Sequence, residues 1–328
     1  MNYKEHLEAI YDKALGDELV SREEALFIIN TPDEQLDTLL DYTNRLKLEK
    51  VGNEVLLCGI VNAKSGKCSE DCSFCAQSAH HKTKAEVYPL LSSKELLDAS
   101  DKAKVNGVQC FSIVTSGKGV TSEQDFSVIK DTISSVEQLN RCASLGILSK
   151  AQFQELKKAG LNKYHHNLET AESFFANMCT THSYEERVET IKAAKEAGLE
   201  VCCGGIFGIG ESLEQRVELG LAIRELDVES VPINIVNPIE GTRIYSQIVP
   251  MRPQDILKLI ATYRFLLPRK IIGVFGGREH NLKEWQPQIF PAGANAILLG
   301  NYLTTTGNAA DVDLAMIKEA GLVPKYSH

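Results

Sequence analysis

The sequence predicts an α/β fold, a (β/α)8 barrel of the TIM type with an N-terminal helical cap. From about residue 54 onward, short apolar segments rich in β-branched residues alternate with amphipathic helical patterns. Eight such segments over roughly 250 residues are what a barrel of eight strand–helix units requires. A doubly wound sheet of six strands would leave two of them unexplained. The segments are 54–62, 107–116, 141–147, 161–169, 199–208, 230–238, 271–277 and 294–300.

The first fifty residues differ from the rest because their apolar residues recur only at helical spacing. Ser21 followed by Glu24, and Thr31 followed by Glu34, both have the spacing of a capping box at the start of a helix. We therefore expect two or three helices in an N-terminal extension, residues 1–50. The barrel and its C-terminal segment then take residues 51–328.

Composition and charge limit the classes of function. The 328 residues include 35 basic and 44 acidic side chains, for a formal net charge of −9. A net anion is poorly suited to binding phosphate backbones, so we expect no nucleic-acid partner. No apolar stretch reaches the ~18–20 residues that cross a bilayer, and the N-terminus lacks the pattern of a secretory signal. We therefore expect no membrane association and a cytoplasmic location.

Three of the nine cysteines lie on one short loop. Cys68, Cys72 and Cys75 follow the first predicted strand, in GKCSEDCSFCAQS. Three thiolates can bind one side of an iron–sulfur cubane and leave one iron for an outside ligand. A disulfide, or a structural zinc site with His80 or His81 as fourth ligand, also fits the spacing. The position favours an iron–sulfur site, because barrel active sites lie at the carboxyl ends of the strands.

At this loop the chain resembles the radical S-adenosylmethionine (SAM) superfamily, whose hallmark is a CxxxCxxC loop after the first barrel strand. The resemblance implies a 4Fe–4S cluster on Cys68, Cys72 and Cys75, with SAM bound to the open iron. It also implies one-electron cleavage of SAM to a 5′-deoxyadenosyl radical, fed by a low-potential donor such as flavodoxin or ferredoxin. Phe74 matches the aromatic residue that members place against the adenine.

Further motifs, from about residue 54 to the C-terminus, resemble those of the biotin synthase family. That resemblance implies a homodimeric sulfurtransferase that inserts one sulfur atom into dethiobiotin to form biotin. The sulfur would come from an auxiliary iron–sulfur cluster inside the barrel. The motifs are HNLET (166–170), SYEERVETI (183–191), VCCGGIFGIGE (201–211), ESVPINIVNPIEGT (229–242), GGREH (276–280) and AGANAILLGNYLTT (292–305).

The same resemblance assigns roles to four polar residues. Asn167 would contact SAM or dethiobiotin, and the Glu169 carboxylate would accept hydrogen bonds from the ribose hydroxyls. The family usually has Asp at the position of Glu169. Arg187 would bind the SAM carboxylate, because a guanidinium group can do so bidentately. Asn234 would bond the ureido ring of dethiobiotin, which suits an amide that donates and accepts side by side.

The auxiliary cluster is where the sequence departs from the family pattern. By resemblance, Cys142 and Cys202 match two cysteine ligands on the third and fifth strands. Ser112 and Gly273 stand where the family usually has a further cysteine and an arginine. Two of the four usual ligands are therefore absent, and other side chains must complete the site.

Two additional cysteines could complete the ligand set of the auxiliary cluster. We expect Cys142, Cys202 and Cys203 to bind the auxiliary cluster and to act in sulfur transfer, with Cys110 as a further candidate ligand. The cluster would then be 2Fe–2S or larger. Adjacent strand residues point to opposite faces, so Cys202 and Cys203 can both bind only where the strand is bulged or ends. We interpret Cys58 and Cys179 as structural.

Two other functions remain open from the residues. The missing ligands at Ser112 and Gly273 would suit another radical SAM enzyme that acts on a small molecule without sulfur insertion. A zinc-stabilised barrel that binds a metabolite without redox chemistry would suit the bare cysteine spacing. Metal content and product analysis with dethiobiotin separate these functions.

Overall fold

Eight strand positions close into a parallel barrel in the computed structural model, which describes residues 2–325. The strands are β1 (Glu54–Lys64), β2 (Cys110–Thr115), β3 (Asn140–Ser144), β4 (Lys163–His165), β5 (Glu200–Cys202), β6 (Gly205–Phe207), β7 (Ser230–Ile235), β8 (Ile271–Val274), β9 (Ala296–Leu298) and β10 (Val323–Pro324). Strand β1 pairs with both β2 and β9, which closes the ring, and all these pairings are parallel. The predicted barrel is confirmed, with a strand in each of the eight predicted segments.

Helices cover the outside of the barrel and alternate with its strands. They are α1 (Tyr3–Leu15), α2 (Arg22–Ile29), α3 (Leu36–Val51), α4 (Ser93–Val105), α5 (Glu123–Ser135), α6 (Lys150–Lys158), α7 (Glu172–Met178), α8 (Tyr184–Glu196), α9 (Leu213–Leu226), α10 (Pro253–Leu266), α11 (Arg278–Leu282) and α12 (Ala310–Glu319). Short 3₁₀ turns occupy Asp33–Gln35, Tyr245–Gln247 and Lys283–Ile289. Among residues 2–325, no helix combines the length and apolarity that crossing a bilayer demands.

The fifth predicted strand is divided into β5 and β6 by a break at Cys203 and Gly204. A side chain at Gly204 would collide with the backbone oxygen of Pro232 on β7. A Cβ at Gly205 would lie 2.6 Å from the oxygen of Glu169. The chain can approach both neighbours this closely only with glycine, so the pair of glycines sets the bend.

Three helices, α1 to α3, precede the barrel and pack against α9 and α10. The capping box of Ser21 and Glu24 is confirmed at the start of α2. The box predicted for Thr31 and Glu34 is wrong. The Thr31 hydroxyl donates to the oxygen of Ile28 at 2.7 Å, and a 3₁₀ turn precedes α3. Thr31 therefore lies just after α2 and binds one of its last carbonyl groups instead of starting the next helix.

Tyr164 on β4 supports the loop that follows β3. The side chain is fully buried, and its hydroxyl donates to the oxygen of Gly146 at 2.6 Å. The same hydroxyl accepts from the backbone N–H of Leu145 at 3.2 Å. This loop borders the cavity at the carboxyl end of the barrel. The tyrosine thus connects the barrel core to the rim of the site.

Tyr164→Phe should lower the free energy of unfolding by about 2 kcal/mol, because two buried backbone groups lose their partner. Tyr245 is a matched control, since its ring is exposed and Tyr245→Phe removes a solvated hydroxyl. Denaturant unfolding of the two variants measures the difference. Equal stability of both variants would contradict the supporting role of Tyr164.

Candidate active site

The loop after β1 holds Cys68, Cys72 and Cys75 at the carboxyl end of the barrel. Its backbone folds back on itself, since Cys68 N–H donates to Gln77 O at 3.0 Å and Ala79 N–H to Cys68 O at 2.8 Å. Cys75 N–H donates to Cys72 O at 3.0 Å, which closes a tight turn between the second and third thiols. All nine cysteines lie in the described residues and are free. The disulfide interpretation of this loop is therefore wrong.

The two histidines after the loop bond to its backbone. His80 Nε2 lies 2.9 Å from the oxygen of Ser69, and His81 Nδ1 lies 2.8 Å from the oxygen of Cys75. These ring nitrogens are thus occupied by carbonyl groups that stabilise the loop. Among the described residues, the side chains whose ligand atoms lie close enough to share one metal ion are Cys72, Cys179 and His182, and neither His80 nor His81 belongs to that group.

Two carboxylates attach the loop to the segment that follows α7. Asp71 accepts from the Thr180 N–H at 2.8 Å and from the Thr180 hydroxyl at 2.6 Å. Glu70 accepts from the Thr181 hydroxyl at 2.8 Å and contacts His182 Nδ1 at 2.5 Å. Burial alone would raise the pKa of Asp71, but the hydrogen bonds from Thr180 outweigh it and hold the pKa well below its usual range. Asp71 is therefore an ionised anchor of the loop.

Cys179 contacts the loop directly. Its Sγ lies 3.8 Å from Cys72 Sγ, 3.2 Å from Asp71 Oδ1 and 3.3 Å from His182 Nδ1. This position of Cys179 is not predictable from the sequence, because Cys179 is 107 residues from Cys72 along the chain. Only the closed barrel brings the two together.

The predicted SAM-binding residues meet the three thiols at one cavity of about 240 Å³. Arg187 Nη1 donates to the oxygen of Asn167 at 2.9 Å and lies 3.6 Å from Glu169 Oε1. Asn167 Nδ2 lies 3.3 Å from Glu169 Oε2. The predicted residues lining this cavity are Cys68, Cys72, Phe74, Cys75, Asn167, Glu169 and Arg187.

Glu169 has a left-handed backbone, with φ of 71°. A non-glycine residue in this region is uncommon, and it persists only where surrounding bonds hold it. Here Ile206 N–H donates to the Glu169 oxygen at 2.8 Å, and Glu169 N–H donates to the Gly204 oxygen at 3.2 Å. The strained turn directs the carboxylate into the cavity beside Arg187.

A second, deeper cavity of about 320 Å³ continues into the barrel. Its wall is mainly apolar, with Ile60, Leu298 and Phe275 among its residues, while Asn167 and Asn234 supply amides. Asn234 Oδ1 accepts from Gly276 N–H at 3.0 Å, and Asn234 Nδ2 donates to the Gly205 oxygen at 3.1 Å. An amide has one further lone pair and one further hydrogen for a ligand.

Four cysteines face the interior of the barrel below this cavity. Cys58, Cys110 and Cys142 pack together, and Cys202 lies close to Cys58 and Cys110. Cys58 is opposite Cys110 in the pairing of β1 with β2. The neighbouring thiols of Cys142 and Cys58 lower the pKa of Cys110.

Cys203 is separated from this group. It follows the last residue of β5 and is fully buried near Tyr184 of α8 and Tyr263 of α10, in the layer between barrel and helices. Successive strand residues point to opposite faces, and the break comes too late to turn Cys203 inward. The expectation that Cys202 and Cys203 face the same cluster does not agree with this placement.

Two basic residues on β4 face the interior thiols. Burial alone would lower the pKa of Lys163, but the sulfur atoms of Cys202, Cys110 and Cys142 outweigh it and raise the pKa. Burial, with Lys163 nearby, lowers the pKa of His165 to about 4. A buried ammonium group therefore stands beside a set of thiols, as expected for a site that holds a negatively charged group.

The Ser230 hydroxyl adds a second sign of such a group. It is buried without a hydrogen-bond partner among the described residues, and it lies opposite Cys202 in the pairing of β5 with β7. A Cβ added at Gly273 would lie 2.5 Å from the Phe275 ring. The ring therefore occupies the space that a larger side chain at position 273 would need. Thiols, one ammonium and one free hydroxyl suit an iron–sulfur cluster.

Comparison with known proteins decides the family. Biotin synthase of Geotalea uraniireducens (strain Rf4) is 47% identical over 319 residues, which cover 96% of this chain and 97% of the relative. Biotin synthase of Citrifermentans bemidjiense is 49% identical over 306 residues, 92% of this chain and 93% of the relative.

The chain belongs to the biotin synthase family. Residues 63–221 match the Radical SAM superfamily, and residues 232–323 match the Biotin and Thiamin Synthesis associated domain. The fold agrees with crystal structures of methylornithine synthase and of a maturase of the [FeFe]-hydrogenase. The first has a TM-score of 0.85 at 18% identity, over 96% of this chain and 97% of that one. The second has a TM-score of 0.84 at 18% identity, over 100% of this chain and 77% of that one.

Membership of the biotin synthase family implies that the chain binds a 4Fe–4S cluster, SAM and an auxiliary iron–sulfur cluster. The chain fits these groups with two separate sets of thiols, one on the loop and one inside the barrel. Cys58, Lys163 and Cys179 were not predicted as part of either set. The alternation of Cys58 and Ile60 along β1 could have indicated that Cys58 faces inward.

Asp71→Asn should lower the free energy of unfolding of the metal-free chain by about 2 kcal/mol, since an amide replaces a charged acceptor of Thr180. Hydrogen exchange at the Thr180 amide should accelerate as well. Asp255→Asn, which changes a partly exposed partner of Arg252, is the control and should have little effect. An Asp71→Asn chain with wild-type stability and exchange would show that the carboxylate does not anchor the loop.

Proposed function

We propose that this chain forms biotin from dethiobiotin by radical SAM sulfur insertion. The observation that supports this reaction best is the arrangement of two sets of thiols at different depths of one barrel. A largely apolar cavity lies between them. A saturated C–H bond has no acidic proton, so a radical route is the accessible one. Apolar walls keep water away from such a route.

Cys68, Cys72 and Cys75 would hold the 4Fe–4S cluster, which with SAM supplies one-electron cleavage to a 5′-deoxyadenosyl radical. Arg187 would bind the SAM carboxylate, and Glu169 would accept from the ribose hydroxyls. This assignment is supported by their common cavity with the three thiols. Phe74, on the same wall, would pack against the adenine.

Asn167 and Asn234 would orient dethiobiotin in the deeper cavity. Both amides are held by the protein backbone, Asn167 Oδ1 by Gly204 N–H at 3.1 Å and Asn234 by its two glycine partners. Their remaining donors and acceptors would bond the ureido ring. Such restraint places the substrate with little loss of side-chain entropy on binding.

For the auxiliary cluster we infer a ligand set of Cys58, Cys110, Cys142 and Cys202. Cys58 takes the place that the sequence assigned to Cys203, because Cys58 faces the barrel interior and Cys203 faces the helices. Four thiolates carry excess negative charge, which Lys163 would offset. This set leaves Ser112 and Gly273 without a role as ligands.

The remaining expectations concern partners and location. A low-potential donor such as flavodoxin or ferredoxin would supply the electron, and the chain would act as a homodimer in the cytoplasm. The family resemblance supports these expectations. Nucleic acid and membranes would not be partners, in keeping with the net charge of −9.

Anaerobic incubation of the reconstituted protein with SAM, a reductant and dethiobiotin tests the reaction. We expect this incubation to yield biotin together with 5′-deoxyadenosine. Deoxyadenosine without biotin would instead indicate a radical SAM enzyme that does not insert sulfur, a function suggested by the absent ligands at Ser112 and Gly273. A colourless, zinc-loaded protein would refute both.

Glu169→Gln should weaken SAM binding about tenfold, because an amide accepts poorly from two ribose hydroxyls and loses the charge. Glu169→Asp keeps the carboxylate and also tolerates the left-handed backbone, so it should retain most of the affinity. Equilibrium titration with SAM distinguishes the two variants. Similar losses in both would mean that the position matters for its backbone alone.

Cys58→Ala and Cys203→Ala form a matched pair for the auxiliary ligand set. Cys58→Ala should reduce the iron content to about four atoms per chain, the number that the loop cluster holds. Cys203→Ala should keep the wild-type iron content, which we expect to exceed four. Iron and sulfide analysis gives the readout, and thermal unfolding checks that both variants are folded. The opposite pattern would restore Cys203 as the ligand.

A further inference from the structure

A third cavity opens at the amino end of the barrel, opposite the substrate cavity. Its volume is about 310 Å³. The rim consists of the exposed residues Asn140, Lys157, Asn162, Gly198 and Glu200, while Cys110 and Lys163 form its buried inner end. The opening therefore leads from solvent to Cys110, one of the interior cysteines, without passing the SAM or substrate cavities.

The depth of Cys110 follows from strand register. Cys110 is the first residue of β2, and it pairs with Asn140, the exposed first residue of β3. The Cys142 Sγ lies 3.5 Å from the oxygen of the same Asn140. Two of the interior thiols are thus within about two residues along a strand, ~7 Å, of this opening.

The charges of the opening favour a small anion. Lys157 is fixed at the rim, where its Nζ donates to the Gly198 oxygen at 2.7 Å. Lys163 lies inside and contacts the exposed Glu200 at 3.1 Å. Two ammonium groups against one carboxylate give this cavity a net positive charge in a chain whose net charge is −9. Positive charge within an enclosed cavity concentrates anions.

We infer that this opening, the rear mouth, admits hydrosulfide to the interior thiols from the side opposite the substrate. The inference rests on the proposed function, in which those thiols hold the group that loses sulfur. During turnover SAM and dethiobiotin would fill the front of the barrel, so sulfur needs a second route. Passage and binding transfer no electrons. Hydrosulfide gives up only its proton, which leaves to solvent through the rear mouth.

The size of the cavity separates hydrosulfide from larger sulfur donors. A volume of about 310 Å³ holds small ions and reagents, but not the persulfide-bearing loop of a folded protein together with its backbone. Asn140 and Asn162 on the rim have side-chain amides that can donate hydrogen bonds to an incoming anion. The rear mouth is thus suited to a free, diffusing ion.

The first test measures access to Cys110 in the metal-free, full-length chain. Anionic 2-sulfonatoethyl methanethiosulfonate and its cationic trimethylammonium counterpart are compared by peptide mapping. We expect the anionic reagent to modify Cys110 faster in the wild type. Lys157→Glu should slow it about fivefold and favour the cation, because the sign of the rim charge is reversed. Lys158→Glu changes the net charge equally but lies outside the rear mouth, and should behave as the wild type.

The second test uses the reconstituted enzyme after one turnover. With SAM and dethiobiotin present, uptake of [35S]sulfide into protein is measured against sulfide concentration, and is normalised to first-turnover biotin for each variant. We expect slower uptake for Lys157→Glu than for Lys158→Glu. Equal labelling and equal uptake in the two variants would overturn the inference. A wild type whose Cys110 shows the expected labelling preference but that forms no biotin would refute the proposed function while leaving the rear mouth intact.

Discussion

The strand register of the parallel barrel is the constraint on which the site depends. Side chains alternate between the interior and the helix layer, so each strand can offer only every second residue to the interior. Cys58, Cys110, Cys142 and Cys202 occupy inward positions on β1, β2, β3 and β5. Their side chains meet because the register of neighbouring strands brings them to similar depths. Lys163 on β4 adds the opposite charge.

The barrel is divided along its axis by this arrangement. The loop thiols and the polar residues around Glu169 lie at the carboxyl end, and a largely apolar cavity lies below them. The interior thiols come next, followed by the rear mouth at the amino end. Radical generation, the substrate and the sulfur source would therefore occupy successive levels of a single fold. Closed strand pairing keeps these levels separate.

The sequence predicted the strands well because buried parallel strands are continuous apolar runs. A bulge or strand end near Cys202 and Cys203 was expected from the sequence, but its exact place was not, because the glycines there serve contacts with Pro232 and Glu169 from distant parts of the chain. The alternation of side chains along β5 decides that Cys203 faces the helices, because the break comes too late to turn it inward. Residues of the loop were found from spacing alone, whereas Cys179 becomes visible only when the barrel closes.

Anomalous diffraction at the iron edge, from crystals of the anaerobically reconstituted protein, locates the two clusters directly. We expect two separate iron sites: one at Cys68, Cys72 and Cys75, and one inside the barrel among the four inward thiols. Iron at the loop alone, or a second site on the helix side of β5 beside Cys203, would contradict this expectation.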